Sequence, residues 1–269
     1  MSAPSSFAAP YRVRFDEAGP DGLVRTSTLL RYAQDLAWAH STNRGFDRAW
    51  YAARGLTWLV RAAEIEVLAP VEYGEVLDTT TAVVGWRRVW ARRRTTFETA
   101  SSHVGARIDI DWVLVDRRGV PARIPSEIEA AFPLVAPAPS LLRLTLAAPP
   151  AGADVQRFRV RPQELDPMAH VNNAVYADWL DEAILAAVLA AGGAHGRERS
   201  PVAVLPRTVQ LEYAAAAEPG VEVESATWSD AAGWSYRLRA GSTELLRARL
   251  RPGPGEASGS GGDGVRSLD

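Results

Sequence analysis

The 269-residue sequence contains neither cysteine nor lysine, and each absence excludes a class of chemistry or interaction. Without cysteine there is no disulfide bond, no thiolate metal site and no cysteine nucleophile. Its 30 basic residues are all arginine, and the net charge of −2 gives no general attraction for nucleic acid or anionic membranes. No apolar run reaches the roughly 18 residues of a membrane-spanning helix, and the N-terminus lacks a secretory-signal pattern. We therefore expect a soluble, cytoplasmic protein.

Histidine is also scarce, which bears on metal binding. The four histidines are His40, His103, His170 and His195, and no two of them have the spacing of a zinc site. The sequence therefore predicts no metal centre. The nine tryptophans are interpreted as core and pocket wall, because no basic groove accompanies them as nucleic-acid binding would require.

The chain divides into two halves of similar length. We predict a first domain over residues 11–135, a linker rich in proline and alanine over 136–153, and a second domain over 154–251. Residues 1–10 and the Gly- and Ser-rich tail 252–269 are expected to be disordered, because they have little apolar surface to bury.

The two halves resemble each other, which indicates an internal repeat. The strand pattern YRVRF of the first half recurs as FRVRP, and LTWLVRAAEIEVLAP recurs as AVLPRTVQLEYAAAA. Three residues recur at an offset of 146: Arg61 as Arg207, Glu66 as Glu212, and Gly74 as Gly220.

A helix follows the first strand in each half. Apolar residues recur there at helical spacing; they are Leu29, Ala33, Leu36 and Ala37 in the first half and Val175, Trp179, Ala183, Ala187 and Ala191 in the second. Several strand patterns follow each helix. The order predicts an α+β fold in which a curved antiparallel sheet wraps a long helix, twice.

The segment RPQELDPMAHVNNAVYADWLDE, residues 161–182, concentrates the candidate chemistry. Asp166, His170, Asn172 and Asn173 lie just before the second helix, where the first backbone N–H groups lack partners and the helix dipole is positive. Such amides stabilise the oxyanion of a tetrahedral transition state. A nearby carboxylate can attack a carbonyl or activate water.

Structural roles are the alternative for each of these residues. Asn172 and Asn173 suit helix caps, Asp166 before a proline suits a turn, and His170 suits a hydrogen-bonded structural histidine. Comparison of the two repeats favours a chemical role for Asp166 and His170 over a structural one. The equivalent turn of the first half has Gly19 in place of Asp166 and Leu23 in place of His170, so the turn itself needs neither side chain.

This segment resembles the hotdog superfamily, whose thioesterases carry an aspartate followed by an HVNN-like run and a helix. The chain is more closely similar to the acyl-acyl-carrier-protein (acyl-ACP) thioesterases. The likeness rests on AGPDG, LTWLVRAAEIEV, WRRVWARRRTTFE and RIPSEIEAAF in the first half, and on ELDPMAHVNNAVYADWLDEA and LEYAAAAEPG in the second. It covers about residues 11–250.

The resemblance implies a double hotdog, thioester hydrolysis, a pocket for a fatty acyl chain and no cofactor. Asp166 matches the family's catalytic acid and His170 its histidine. We expect Asp166 to act as nucleophile or general base, with His170 and Asn172 as orienting or proton-handling groups. Asn173 and Tyr176 are predicted to contact the substrate.

Two departures from the family pattern concern polar groups. Met168 stands where the family has an asparagine, and Ala216-Ala217 stand where it has a Glu-Cys or similar polar pair. A simpler mechanism, with one aspartate and helix amides, needs neither missing group.

The arginine-rich strand bears on partners. Acyl carrier proteins are acidic, so Arg87, Arg88, Arg92 and Arg94 could form a docking edge. The alternative is a solvated strand face with ion pairs.

Three other functions are alternatives. An acyl-CoA thioesterase would need phosphate contacts for the nucleotide. A hydratase would need an acid and a histidine facing a β-carbon, and the HVNN context argues against it. A non-catalytic acyl-binding protein fits the loss of polar groups at Met168 and Ala216-Ala217. The protein could be a monomer or a homodimer, since two fused copies could supply the interface of single-copy relatives.

Overall fold

A computed structural model describes residues 6–133, 140–192 and 201–253, which form one ten-stranded antiparallel sheet with helices against it. The strands are β1 (Ser6–Arg12), β2 (Leu56–Val67), β3 (Val76–Arg87), β4 (Trp90–Glu98), β5 (Val104–Asp116), β6 (Asp154–Arg159), β7 (Arg207–Tyr213), β8 (Glu222–Asp230), β9 (Gly233–Ala240) and β10 (Thr243–Pro252). The helices are α1 (Thr26–Asn43), α2 (Arg48–Arg54), α3 (Ser126–Ala131) and α4 (Val175–Ala190). The predicted α+β class is confirmed.

The strand order shows that the two halves are built alike. Across the sheet it runs β1-β3-β4-β5-β2-β7-β10-β9-β8-β6, so β2 and β7 join the halves at the centre. Glu64 lies opposite Gln210 in this pairing, and the Gln210 amide donates to Glu64 at 2.6 Å. Glu64 and Gln210 are 146 residues apart, which is the offset of the sequence repeat. Equivalent positions of the two halves therefore face each other where β2 pairs with β7.

Helices α1 and α4 pack side by side on one face of the sheet and close the main core. All four predicted core positions of α1 are buried. In α4, Val175, Trp179 and Ala183 are buried as predicted, whereas Ala191 lies just past the end of the helix. Arg31 of α1 donates to Asp178 of α4 at 2.7 Å. No helix of the described part is long and apolar enough to cross a membrane.

The prediction of a disordered N-terminus is wrong for residues 6–10. Strand β1 begins at Ser6 and pairs along its whole length with β3. Pro10 obscured this strand in the sequence, because proline donates no ladder hydrogen bond. It is tolerated because β1 is an edge strand, with only β3 as neighbour.

The predicted linker is also more ordered than expected over residues 140–153. It crosses the sheet face opposite the helices, where the Leu142 N–H donates to Asp111 at 2.9 Å and the Leu144 N–H donates to Glu212 at 2.8 Å. Leu144 and Leu146 are buried. We call residues 140–147 the strap, because they connect strands of both halves. Of the predicted disordered tail, residues 254–269 lie outside the described residues.

Candidate active site

The turn before each long helix has the same backbone structure in both halves. The Gly19 N–H donates to the Leu23 carbonyl, and the Asp166 N–H donates to the His170 carbonyl, both at 2.8 Å. In the first half Glu17, two residues before Gly19, accepts a hydrogen bond from the Tyr32 hydroxyl of α1. In the second half Glu164 accepts from Trp179 of α4 at 3.1 Å, at the same offset. The scaffold is therefore repeated, and the side chains on it differ.

Asp166 is half-buried and held by its own turn. Its Oδ1 accepts from the N–H groups of Met168 at 2.8 Å and His170 at 3.3 Å. Its Oδ2 has no hydrogen-bond partner within the described ranges, so one carboxylate oxygen stays available for a substrate or a water molecule. Ala169 closes the turn with φ of 61°, a left-handed conformation that is uncommon for a residue with a side chain.

The other predicted residues divide between exposed and structural positions. The His170 side chain is exposed, and its ring has no hydrogen-bond partner in the described part of the chain. Asn172 Oδ1 accepts from the Ala174 N–H at 2.9 Å, a contact within the turn that leads into α4. The Asn173 carbonyl accepts from the Tyr213 hydroxyl at 2.8 Å. The Asn172 side chain is therefore held in the turn before α4.

Two backbone N–H groups near the start of α4 are left without an acceptor in the described part of the chain. The N–H groups of Asn173 and Tyr176 donate to no acceptor among the described residues, whereas that of Val175 donates to the Asn172 carbonyl at 2.9 Å. These groups lie at the positive end of the helix dipole. They follow the Asp166 turn directly in the chain.

The Tyr176 side chain lies in the core. It is only 2% exposed and lies beside Trp179 and Tyr213. Its hydroxyl accepts from the Ala217 N–H at 3.0 Å. This contact favours a supporting role for the side chain, in which it fixes the loop after β7 against α4. It also shows that the Ala216-Ala217 pair meets α4 through backbone rather than through polar side chains.

The repeat indicates which surface the Asp166 turn faces. In the first half the Gly19 turn and α4 together line a cleft of about 870 Å³, to which α4 contributes Asp178 and Leu185. Trp179 of α4 is equivalent to Tyr32 of α1. At the same offset, Asp178 is equivalent to Arg31 and Leu185 to Trp38. We infer that the Asp166 turn faces the corresponding side of α1.

Sequence reasoning missed this side of α1 and the cavity beside it. Trp38 and Ser41 of α1 line an aromatic cavity under the first half of the sheet. Its other walls are Ala37, Tyr51, Trp58, Val83, Trp86, Ala91, Arg93, Trp112, Ile124, Ile128 and Phe132. The high number of tryptophans was the sequence signal for this cavity. Which of them meet in one place depends on the fold.

Carboxylates neutralise two of the four arginines of the predicted basic docking edge. Arg92 binds Asp111 through two nitrogens at 2.6 and 2.8 Å, and Arg94 binds Asp109 at 2.8 and 2.7 Å. These two arginines fit the alternative of an ion-paired strand face. Arg87 and Arg88, at the β3–β4 hairpin, are exposed and form no ion pair within the described residues.

The cleft of the first half contains a carboxylate whose titration is testable. Burial raises the pKa of Asp181 to about 7, against the opposing effect of Arg207. The folded-state pKa therefore exceeds the value of about 3.9 for an unfolded aspartate. Stability falls as the pH rises from about 4 to 7, because folding then opposes ionisation. We expect Asp181→Asn to remove this fall. Urea unfolding of the wild type and of Asp181→Asn from acid to neutral pH measures this difference. Parallel plots of unfolding free energy against pH would contradict the prediction.

Comparisons with known proteins agree with this architecture. The model of the acyl-ACP thioesterase N-terminal domain matches residues 4–132, and that of the C-terminal domain matches residues 148–244. Oleoyl-acyl carrier protein thioesterase 2 of Arabidopsis thaliana, a chloroplastic protein, is 24% identical over 66% of this chain. The match spans only 54% of that plant protein, about half its length.

Two solved structures share the fold. A putative oleoyl thioesterase from Lactobacillus plantarum superposes with a TM-score of 0.79 at 20% identity, covering 93% of this chain and 98% of its own. A 12:0-ACP thioesterase from Umbellularia californica gives 0.74 at 20% identity, covering 92% and 98%. With both domain models matched in order along the repeat, the chain belongs to the acyl-ACP thioesterase family.

Proposed function

We propose that this protein hydrolyses a fatty acyl thioester carried by an acyl carrier protein, releasing the free fatty acid, with Asp166 as the catalytic carboxylate. One observation carries the proposal. Of two turns with the same backbone hydrogen bonds, only the second has a carboxylate at its first position, with an unpartnered oxygen. The free amides of Asn173 and Tyr176 follow it at the start of α4.

The chemistry follows from these groups. As general base, Asp166 takes a proton from water, and the water oxygen attacks the thioester carbonyl. As nucleophile, its own oxygen attacks and water then hydrolyses the mixed anhydride. In both routes the helix amides hold the oxyanion and the C–S bond breaks. The thiolate takes the proton held by Asp166 in the first route and a proton from water in the second. The exposed ring of His170 is placed to hand protons between the site and water.

We further infer that the two halves are two hotdog units, with the first unit supplying the acyl pocket. The equivalence of the halves supports an Asp166 turn opposite the side of α1 that leads through Trp38 into the aromatic cavity. The cavity has a free volume of about 60 Å³. Small-molecule pockets usually measure about 300–1,000 Å³. We therefore expect its aromatic side chains to move apart when an acyl chain enters.

Release of free thiol tests the proposed function. Purified protein is incubated with medium- and long-chain acyl groups on an acyl carrier protein, and with the same groups on CoA. Turnover of the carrier-protein substrates at the higher kcat/KM supports the proposal. Faster turnover of the CoA substrates would favour the acyl-CoA thioesterase. Absence of turnover on both carriers would contradict hydrolysis and favour an acyl-binding protein.

Carrier-protein docking gives a separate prediction. Arg87 and Arg88 flank the cavity, because Trp86 beside them is one of its walls. Arg88 has φ of 49°, which asparagine tolerates. We expect the double variant Arg87→Gln, Arg88→Asn to raise KM for an acyl carrier protein several-fold at low salt while leaving KM for acyl-N-acetylcysteamine unchanged. Equal KM changes on both substrates would contradict docking at this hairpin.

A further inference from the structure

Among the described residues that line the aromatic cavity, Arg93 of β4 is the one charged side chain. Its neighbours Arg92 and Arg94 point to the opposite sheet face and bind Asp111 and Asp109. Arg93 points inward, is 7% exposed and lines the cavity. Unlike its neighbours, it forms no ion pair with any carboxylate of the described residues.

The contacts of Arg93 leave its charge uncompensated. One guanidinium nitrogen donates to His40 Nδ1 at 2.8 Å, and the guanidinium lies 5.6 Å from the ring centre of Phe132. Burial, then the charges of Arg93 and Arg44, lower the pKa of His40 to about 4, so His40 is neutral at pH 7. Burial lowers the pKa of Arg93 to about 10, which still leaves it charged.

A buried cation without an anion is unfavourable unless something binds it. The other polar groups of the cavity wall do not supply a negative charge. The Tyr51 hydroxyl accepts from the Trp58 indole at 2.9 Å, and the Trp112 indole N–H, also in the wall, has no partner within the described ranges. The cavity thus presents hydrogen-bond donors, and a plain hydrocarbon chain has no acceptor for them.

We propose that Arg93 selects acyl groups whose distal end carries an acceptor oxygen, a carboxylate above all, over acyl groups that end in a methyl group. This inference rests on the proposed function, because it assigns the substrate class of that site. Along α1, the acyl chain would run from the thioester opposite Arg31 past Trp38 to Arg93 at His40. The rise of about 1.5 Å per helical residue makes this about 14 Å, which suits a chain of medium length.

The test compares decanoyl, ω-hydroxydecanoyl and decanedioyl thioesters of N-acetylcysteamine. A charge-assisted hydrogen bond is worth roughly 10- to 100-fold in binding. We expect wild-type kcat/KM to be about that much higher for decanedioyl than for decanoyl, with ω-hydroxydecanoyl between them. In Arg93→Met, which keeps much of the side-chain volume, the ratio should fall to about one. Arg107→Met, which changes a partly exposed arginine on the other sheet face, is the matched control and should keep the wild-type ratio.

Binding of non-hydrolysable amide analogues separates this inference from the proposed function. Tighter calorimetric binding of the decanedioyl than of the decanoyl analogue supports the role of Arg93 even if no thioester is hydrolysed. Hydrolysis of all three thioesters with no preference for an oxidised end, unchanged in Arg93→Met, would overturn the inference and leave the proposed function standing. If Arg93→Met does not fold, Arg93→Gln and the binding of the two amide analogues to the wild type test the role of Arg93 instead.

Discussion

Asp166→Asn is expected to lower kcat for thioester hydrolysis by about 10²–10⁴-fold, the range for loss of a general base. Asparagine keeps an oxygen that can accept from the Met168 and His170 N–H groups, so the turn should persist. What disappears is the negative charge and the ability to take a proton or attack a carbonyl. Steady-state thiol release with a saturating acyl thioester measures the change, and thermal unfolding checks the fold.

The first half provides a matched control for this substitution. Asp21 lies in the equivalent turn, where its Oδ1 accepts from the Leu23 N–H at 3.0 Å. Asp21→Asn changes the same functional group on the same scaffold and should leave kcat within about twofold, because the first-half turn lacks the acid at the Gly19 position. Similar losses of activity in the two variants would mean that turn structure, rather than the Asp166 carboxylate, limits the reaction.

Of the substitutions proposed for this protein, Glu212→Ala is expected to lower the free energy of unfolding most. The Glu212 side chain is 4% exposed and binds Arg61 at 3.3 Å, Arg143 at 2.9 Å and the Leu144 N–H at 2.8 Å. Removal leaves these donors without their shared acceptor beneath the strap. Breaking a buried ion pair costs about 3–5 kcal/mol, and the partial water access of the arginines places this case near 3 kcal/mol. Urea denaturation at neutral pH measures the free energy of unfolding.

Glu66 is the control for Glu212, because the repeat puts them at equivalent positions. Glu66 pairs with Arg107 at 3.3 Å, and its side chain is 35% exposed, so Glu66→Ala should cost less than about 1 kcal/mol. Equal costs for the two variants would contradict the account of the strap.

The effect of Glu212 should also depend on pH. Burial works to raise its pKa, but the Leu144 N–H, Arg143 and Arg61 outweigh burial and lower it. The folded-state pKa therefore lies below the value of about 4.3 for an unfolded glutamate. The stability that Glu212 contributes is complete above that pH and is lost as the pH falls through the folded-state pKa. The difference between wild type and Glu212→Ala should shrink in acid.

The repeat was the most informative pattern in the sequence. It predicted two equivalent helices and the location of the turn that carries Asp166. The pairing of Glu64 with Gln210 agrees with its offset. Helical spacing identified the core positions of α1 because burial of an amphipathic helix depends mainly on local periodicity.

Features that depend on distant partners could not be predicted. The strap has little secondary-structure signal, and its order comes from Asp111 and Glu212, which lie on other strands. Strand alternation puts Arg93 on the face opposite Arg92 and Arg94. Its contacts with His40 and Phe132 could not be predicted, because they lie on distant segments. The buried position of Tyr176 likewise follows from its contact with Ala217 across the chain.

A crystal structure of Asp166→Asn with a bound acyl thioester tests the central claim most directly. The account predicts the thioester carbonyl oxygen within hydrogen-bond distance of the Asn173 or Tyr176 amide. It predicts the substituted side chain next to the carbonyl carbon and the acyl chain running past Trp38. An acyl group bound instead at the Gly19 turn, or with its carbonyl away from the start of α4, would contradict it.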